Sequence, residues 1–315
     1  MTRLLAQRAA LGLLTLLAVS ALLFFGTNLL PGDVASALLG QDATPEALHN
    51  IRAALGLEQP AWLRYLHWLG GAVHGDFGTS LTSARPVGAQ VLPRLGNTLL
   101  LASLAALVSV PVAVGLGLLS AMREGGVIDR LASLLSLVTI SVPEFFVGYV
   151  LTLLFAVQLG WLPSLAVMHG GMSLAERLAA IALPVATLVI VVLAHMLRMT
   201  RSALLAVMSA PYIEMAFLKG LPRGTVVLRH ALPNAAAPII AVVALNLGYL
   251  VVGVVVVEAV FVYPGAGQLM VDAVSKRDLP VVQACGLVFA ATYVGLNTIA
   301  DMLAIIVNPR LRRPR

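Results

Sequence analysis

Only 11% of the 315 residues carry charge, 60% are apolar, and the mean hydropathy is +0.97; an ordinary soluble domain carries about 25% charged residues. So much apolar surface has no polar shell to hide it, which excludes a water-soluble fold and makes lipid the solvent. The net charge of +6 comes from scattered basic residues without interleaved aromatics, which argues against a nucleic-acid partner, and the single Cys285 rules out an intrachain disulfide framework and argues against a metal cluster.

A bilayer core needs about 20 apolar residues per helix. Six runs meet that length: Ala9–Leu30, Leu95–Met122, Leu131–Leu159, Leu178–Leu197, Ala235–Glu258 and Pro280–Val307. An even number puts both termini on one side. Arg3, Arg8, Arg123, Arg130, Arg198, Arg201, Lys219, Arg223, Arg229 and the tail arginines 310, 312, 313 and 315 make up 13 of the 20 basic residues. All 13 fall on that side, which the positive-inside rule makes the cytoplasm. The first run starts with basic residues and is followed by Ala35-Ser36-Ala37, as in a signal peptide. Its apolar core is longer than the 7–15 residues of a signal sequence, so it is read as a retained span.

The expected organisation is an N-terminal tail and first span (1–30), an external loop (31–94), a five-helix core (95–307) with a cytoplasmic loop at 198–234, and a basic tail (308–315). In the external loop, Thr44-Pro45-Glu46 reads as a helix start, Leu48, Ile51 and Leu55 as one apolar stripe, and Gly56 as its end. A second helix follows Pro60, with Trp62, Tyr65, Leu66 and Leu69 on its apolar side and Trp68 nearby. Such stripes mean burial, so the loop is read as a lid over the outer ends of the spans; a docking surface for an outside partner is the alternative.

Energy coupling has no source within the chain. The only lysines are Lys219, followed by Gly220, and Lys276, followed by Arg277, so no Walker A loop exists. There is no His-Glu-x-x-His pair and no Gly-x-Ser-x-Gly. Met168, His169 and Met172 lie close together in the Trp161–Arg177 loop, but ligand types alone fix no geometry, and the cluster is read as ordinary loop with no metal site. Ionisable groups within the spans are functional candidates by default. Glu258, His195 and Asp301 lie near span ends, where snorkelling or a headgroup position accounts for them. Glu144, after Pro143 near the middle of the third run, either lines a wet cavity or carries a proton. It is the candidate residue of a translocation path.

Between the fourth and fifth runs, "EMAFLKGLPRGTVVLRHALPNAAAP" (Glu214–Pro238) mixes charge with glycine and proline. Ser202–Met208, Tyr212–Leu218 and Thr225–Leu232 read as three short helices parted by Pro211 and by the Gly220–Pro222 turn. Lipid forbids exposed irregular backbone, so this segment projects as a helical knob outside the bilayer.

Glu214-Met215-Ala216, three residues, Gly220, nine residues and His230-Ala231-Leu232-Pro233 resemble the EAA motif of ABC importer permeases (Glu-Ala-Ala, three residues, Gly, nine residues, Ile-x-Leu-Pro). Met215 and His230 depart from it while the spacing is kept. Further collinear stretches resemble the first (B-type) permease subunit of dipeptide, oligopeptide and nickel importers: Leu29–Asp33, Leu63–Leu81, "VEAVFVYPGAG" (Val257–Gly267), "RDLP" (Arg277–Pro280) and "NTIADMLAIIVNPRLR" (Asn297–Arg312), with Asn308 where Asp is usual. The resemblance implies an all-α membrane protein of six transmembrane helices with the type I ABC importer (MetI-like) permease fold. Glu214, Met215, Ala216 and Lys219 would belong to a coupling helix docked on an ATPase, Gly220 to its turn, and His230, Leu232 and Pro233 to the return into the membrane. It also implies a second homologous permease subunit, two ATPase subunits or domains carrying the ATP and Mg that this chain does not bind, a periplasmic binding protein, and dipeptides, oligopeptides, glutathione or nickel chelates as substrate. An ion-coupled carrier acting alone is the rival reading. It predicts uptake by this chain alone and would usually show inverted repeats; no convincing repeat relates the two halves. An intramembrane enzyme would need a nucleophile and base, which are not evident.

Overall fold

Lipid satisfies no backbone group, so apolar runs of this length must bond internally. In the computed structural model, which describes residues 2–29, 44–46, 49 and 59–307, every regular element among the described residues is helical. In chain order they are α1 (Thr2–Asn28), α2 (Ala61–Val73), α3 (Val87–Met122), α4 (Val127–Ile140), α5 (Glu144–Leu151, extended by π-helical Thr152–Gln158), α6 (Leu174–Met208), α7 (Pro211–Leu218), a turn at Arg223–Thr225 with π-helical Val226–Ala231, α8 (Leu232–Phe261), α9 (Ala266–Ser275) and α10 (Leu279–Val307). Several expectations lie outside the described residues: the Leu48–Ile51–Leu55 stripe with Gly56, the Ala35-Ser36-Ala37 triplet, the Pro31-Gly32-Asp33 match, and the tail from Asn308 to Arg315.

Five helices are long and apolar enough to cross a bilayer, and α4 with α5 makes a sixth span if the pair is counted as one. The expected continuous run over Leu131–Leu159 is instead broken, turning by 104° between Ile140 and Glu144. Pro143 offers no N–H and disfavours helical backbone at Val142, so α4 stops and a new helix starts at Glu144. The expected separate helix Ser202–Met208 is the end of α6, because nothing between Arg198 and Ser202 breaks the helix. Likewise Thr225–Leu232 is no separate helix. It runs through a π turn into α8, and that wider turn accommodates Pro233, which cannot donate the usual bond to the turn before it.

One compact unit comprises Met1–Ala9, Leu99–Tyr263 and Gly295–Arg315. Its core joins Leu101 and Ala105 of α3, Leu188 and Met196 of α6, and Leu250 and Phe261 of α8. α6 opens on a capping box in which Ser173 Oγ accepts the Glu176 N–H and the Glu176 carboxylate accepts the Ser173 N–H. Arg8 pairs with Asp301 at 2.8 Å, both half exposed. Glu258, expected at a headgroup position, is instead fully buried in the last turn of α8, because that turn packs against the core through Val257 and Phe261.

The second unit comprises Ala10–Thr98 and Pro264–Val294. Phe77, Val87, Val91, Val281, Ala284 and Cys285 form its core, with Leu16, Trp68 and Ala72 packed against it. The expected single apolar side of α2 divides in two: Tyr65 and Trp68 turn to Phe24 of α1, while Trp62 and Leu66 stay exposed. Buried Asp278 closes the turn that follows Phe77. Its carboxylate accepts Ser80 Oγ at 2.6 Å, Thr82 Oγ1 at 2.7 Å, and the Leu81 and Thr82 amides at 3.1 and 3.2 Å. Burial pushes this carboxyl up, and the hydrogen bonds outweigh it, holding Asp278 below the usual carboxylate range. The stabilisation is therefore complete above the unfolded carboxyl value of about 3.9 and is lost as pH falls through the lower folded value. Asp278→Ala is expected to cost about 2–4 kcal/mol at neutral pH by stranding these donors. The difference in thermal unfolding between the two proteins should shrink as the pH falls below the unfolded carboxyl value of about 3.9; a pH-independent difference would refute the assignment.

Candidate functional site

The segment between α6 and α8 is built around a small core of its own. Pro211 cannot extend α6 but suits the first turn of a helix, so α7 starts there with Glu214 in its first turn, where the helix dipole favours an acid. Ile213 and Ala216 turn inward against Val226, Ala231 and Leu221. α7 ends where Gly220 adopts φ +78°. The Gly220 N–H donates to Phe217 O at 2.8 Å and the Leu221 N–H to Ala216 O at 3.3 Å. This paired closure demands a left-handed residue, which is why glycine stands there. Gly220→Ala is expected to cost about 1–2 kcal/mol of local stability, raising amide exchange over 211–221 about tenfold; unchanged exchange would refute it.

The outward side of α7 is apolar. Tyr212, Met215 and Leu218 recur every three residues with 47%, 55% and 75% of their surface exposed. Glu214, Lys219 and Gly220 are exposed beside them, and Ala216 is buried. His230 is half-buried, its carbonyl accepting Asn234 Nδ2 at 2.7 Å. Leu232 packs with Leu204 and Ala235, and Pro233 is exposed. The structure thus brings Ala216, Gly220 and Ala231 into one folded knob and leaves Glu214, Met215 and Lys219 on its surface.

Two charge contacts lie beside the knob, one from Arg201 of α6 to the first turn of α4 and one from Arg223 to the α3–α4 turn. Asp129 is buried and accepts both Arg201 Nε and Arg201 Nη2, together with Ser120 Oγ and the Gly125 N–H. Arg223 Nη2 reaches Glu124 at 3.3 Å.

A cavity of about 490 Å³ opens between α6 and α8 at the start of α5, lined by Glu144, Val192, His195, Asn246, Tyr249 and Gly253 among others. A Cβ at Gly253 would lie 2.8 and 2.9 Å from the two Glu144 carboxylate oxygens, so glycine is what lets the carboxylate rest on the α8 backbone. A shallower hollow of about 360 Å³ continues past His195 to Arg198 and Ser202. Among the described residues no side chain donates a hydrogen bond to Glu144. Met168, His169 and Met172 form a turn in which the His169 N–H meets Met172 Sδ at 3.4 Å.

Residues 113–313 match the family described as binding-protein-dependent transport system inner membrane component, and residues 1–102 match its N-terminal companion. The chain belongs to this family. It is 36% identical to the "Probable peptide ABC transporter permease protein" of Sinorhizobium fredii, covering 93% of this chain and 94% of that one. It is 37% identical to the "Glutathione transport system permease protein" of Escherichia coli K12, covering 96% of each. The same identity and coverage hold for the permease of that name in Salmonella typhimurium. The protein is therefore the permease subunit of an ABC importer, a multi-pass inner-membrane component of a transport system.

The turn at Gly220 and the start of α7 at Pro211 were visible in sequence because their causes are local. Gly253 and the Asp129–Arg201 pair were missed. Gly253 is one small residue in a valine run, and Asp129 and Arg201 are 72 positions apart.

Proposed function

We propose that this subunit forms half of the translocation path of a peptide importer and that α7 is the coupling helix on which an ATPase partner pulls. The observation that carries the reading is the apolar face Tyr212–Met215–Leu218, exposed on a helix whose other side is held by its own core. Such a face calls for a protein partner once it lies outside the bilayer. The bias of basic residues puts α7 and both termini in the cytoplasm. A second, homologous permease completes the path, two ATPase subunits or domains supply ATP and Mg, and a periplasmic binding protein delivers the substrate. This chain binds no nucleotide. Dipeptides and oligopeptides, with glutathione as a tripeptide of similar chemistry, are the expected cargo, from the names of the relatives.

Within the path Glu144 meets the passing solute. Its carboxylate lines a mostly apolar cavity beside His195. Glu144→Gln keeps the shape and is expected to slow uptake about tenfold, the loss of roughly 1.4 kcal/mol of charge interaction, without changing the melting temperature. Unchanged uptake would exclude Glu144 from the path.

The test of the whole reading is affinity purification of the chain from its native membranes, followed by reconstitution of what accompanies it. A second permease and P-loop ATPases at comparable abundance, with uptake that needs ATP and a binding protein, support it. A chain that emerges alone and moves solute down an ion gradient overturns it.

A further inference from the structure

The contacts of α2 with α1 set its depth. Tyr65 Oη lies 2.9 Å from Ser20 Oγ and donates weakly to Leu17 O at 3.4 Å. Phe24 meets both Tyr65 and Trp68 with ring centroids 5.6 Å apart, and Phe25 meets Tyr65 at the same distance. Ser20 is eight residues before Asn28, the end of α1, and at 1.5 Å per residue that is about 12 Å along the helix. Phe24 is about 6 Å along it. The helix after Pro60 therefore lies beside the last turns of the first span, not beyond its end as a lid would.

A second side of α2 carries Trp62, Leu66 and Val73, with 60%, 53% and 77% of their surface exposed. They recur at i, i+4 and i+11, one stripe of a helix. The side of α1 turned away from this contact is apolar as well: Leu22 is 73% exposed. His67, on another side of α2, is exposed and polar.

We infer that α2 is embedded in the bilayer interface, with Trp62, Leu66 and Val73 packed against lipid acyl chains of the leaflet at the Asn28 end of α1. What selects lipid as the occupant is the depth: the contacts with Ser20 and Phe24 hold α2 alongside the last turns of a membrane span, where an exposed apolar stripe meets acyl chains. Trp62 at the start of the helix suits the border between hydrocarbon and headgroups. The consequence is mechanical. α2 pins one end of the segment that Asp278 holds at the other, so the turn at residues 78–86 stands on a membrane-anchored base.

The test uses the full permease in its transporter complex, purified and set in nanodiscs of phosphatidylethanolamine and phosphatidylglycerol. In a Cys285→Ala background, single nitroxide labels are placed through Trp62→Cys, Leu66→Cys, Val73→Cys and His67→Cys. Collision with oxygen is expected to exceed collision with an aqueous nickel chelate several-fold at 62, 66 and 73, with the order reversed at 67. Chelate access at all four positions, lost only when a binding protein is added, would make α2 a docking surface and overturn the inference. Low access to both probes at 62, 66 and 73 would mean that another subunit covers the stripe, and would overturn it equally. Neither outcome bears on the coupling role of α7, which is read separately from ATP-driven uptake.

Discussion

Arg201→Ala should lower the stability of the permease by about 3–5 kcal/mol, more than the loss of the Asp278 carboxylate. The reason is what it leaves behind. Asp129 keeps only 5% of its side chain exposed, and Arg201 covers it with two donors of one guanidinium. The remaining donors, Ser120 Oγ and the Gly125 N–H, are neutral and cannot balance a buried carboxylate. Removing both charges avoids that penalty, so Asp129→Ala combined with Arg201→Ala should recover most of the loss. Equilibrium unfolding of the two single variants and the double variant in detergent measures the coupling. Additive losses would show that the pair is not a unit. The pair also holds the start of α4 against the last third of α6, ten residues before α7 begins at Pro211. A weakened pair should therefore reduce uptake at temperatures where the protein is still folded.

The sequence-level expectations succeeded where the physics is local and failed where it is tertiary. Apolar length gave the helices, since the bilayer imposes a minimum span on any chain. Pro211 and Gly220 were readable because a missing N–H and a left-handed backbone each restrict the residue that can stand there. The break at Pro143 follows the same rule, but hydropathy has no term for direction, so the run Leu131–Leu159 shows its length and not its 104° bend. The end of α6 was misplaced for a different reason. Arg198 and Arg201 look like a span terminus, but Arg201 is absorbed by Asp129 and the helix continues to Met208.

The site divides in the same way. Glu144 could be singled out because a carboxyl in an apolar run is costly wherever it lies. What it rests on could not be read, because the approach to Gly253 joins residues more than a hundred positions apart. Burial of Glu258 was equally hidden. Its place at the end of a run suggests a headgroup, and only the packing of Val257 and Phe261 beside it takes it into the core.

Met215→Asp combined with Leu218→Asp should abolish ATP-driven uptake while leaving the permease folded. Both side chains are exposed, at 55% and 75%, so their replacement removes little packing within the chain. Ile213 and Ala216, which hold α7 to its own core, are untouched. On a docked partner the balance is different. Burying a Met or Leu side chain contributes about 1.5–3 kcal/mol each, and two carboxylates forced into that interface would be stripped of water without a counter-charge. The expected loss is about 3–6 kcal/mol, a 10²- to 10⁴-fold weakening of the ATPase contact. The ATPase should wash away during purification while the melting temperature of the permease stays within about 1 °C of the parent. Met215→Leu is the control and should transport normally, since it keeps an apolar side chain of similar volume. If the double aspartate variant retains its ATPase and full uptake, the exposed face of α7 is not the coupling surface. If uptake is lost while the ATPase remains bound, the face transmits the stroke but does not hold the partner, and the contact must then be sought at Arg229 and the exposed residues around it.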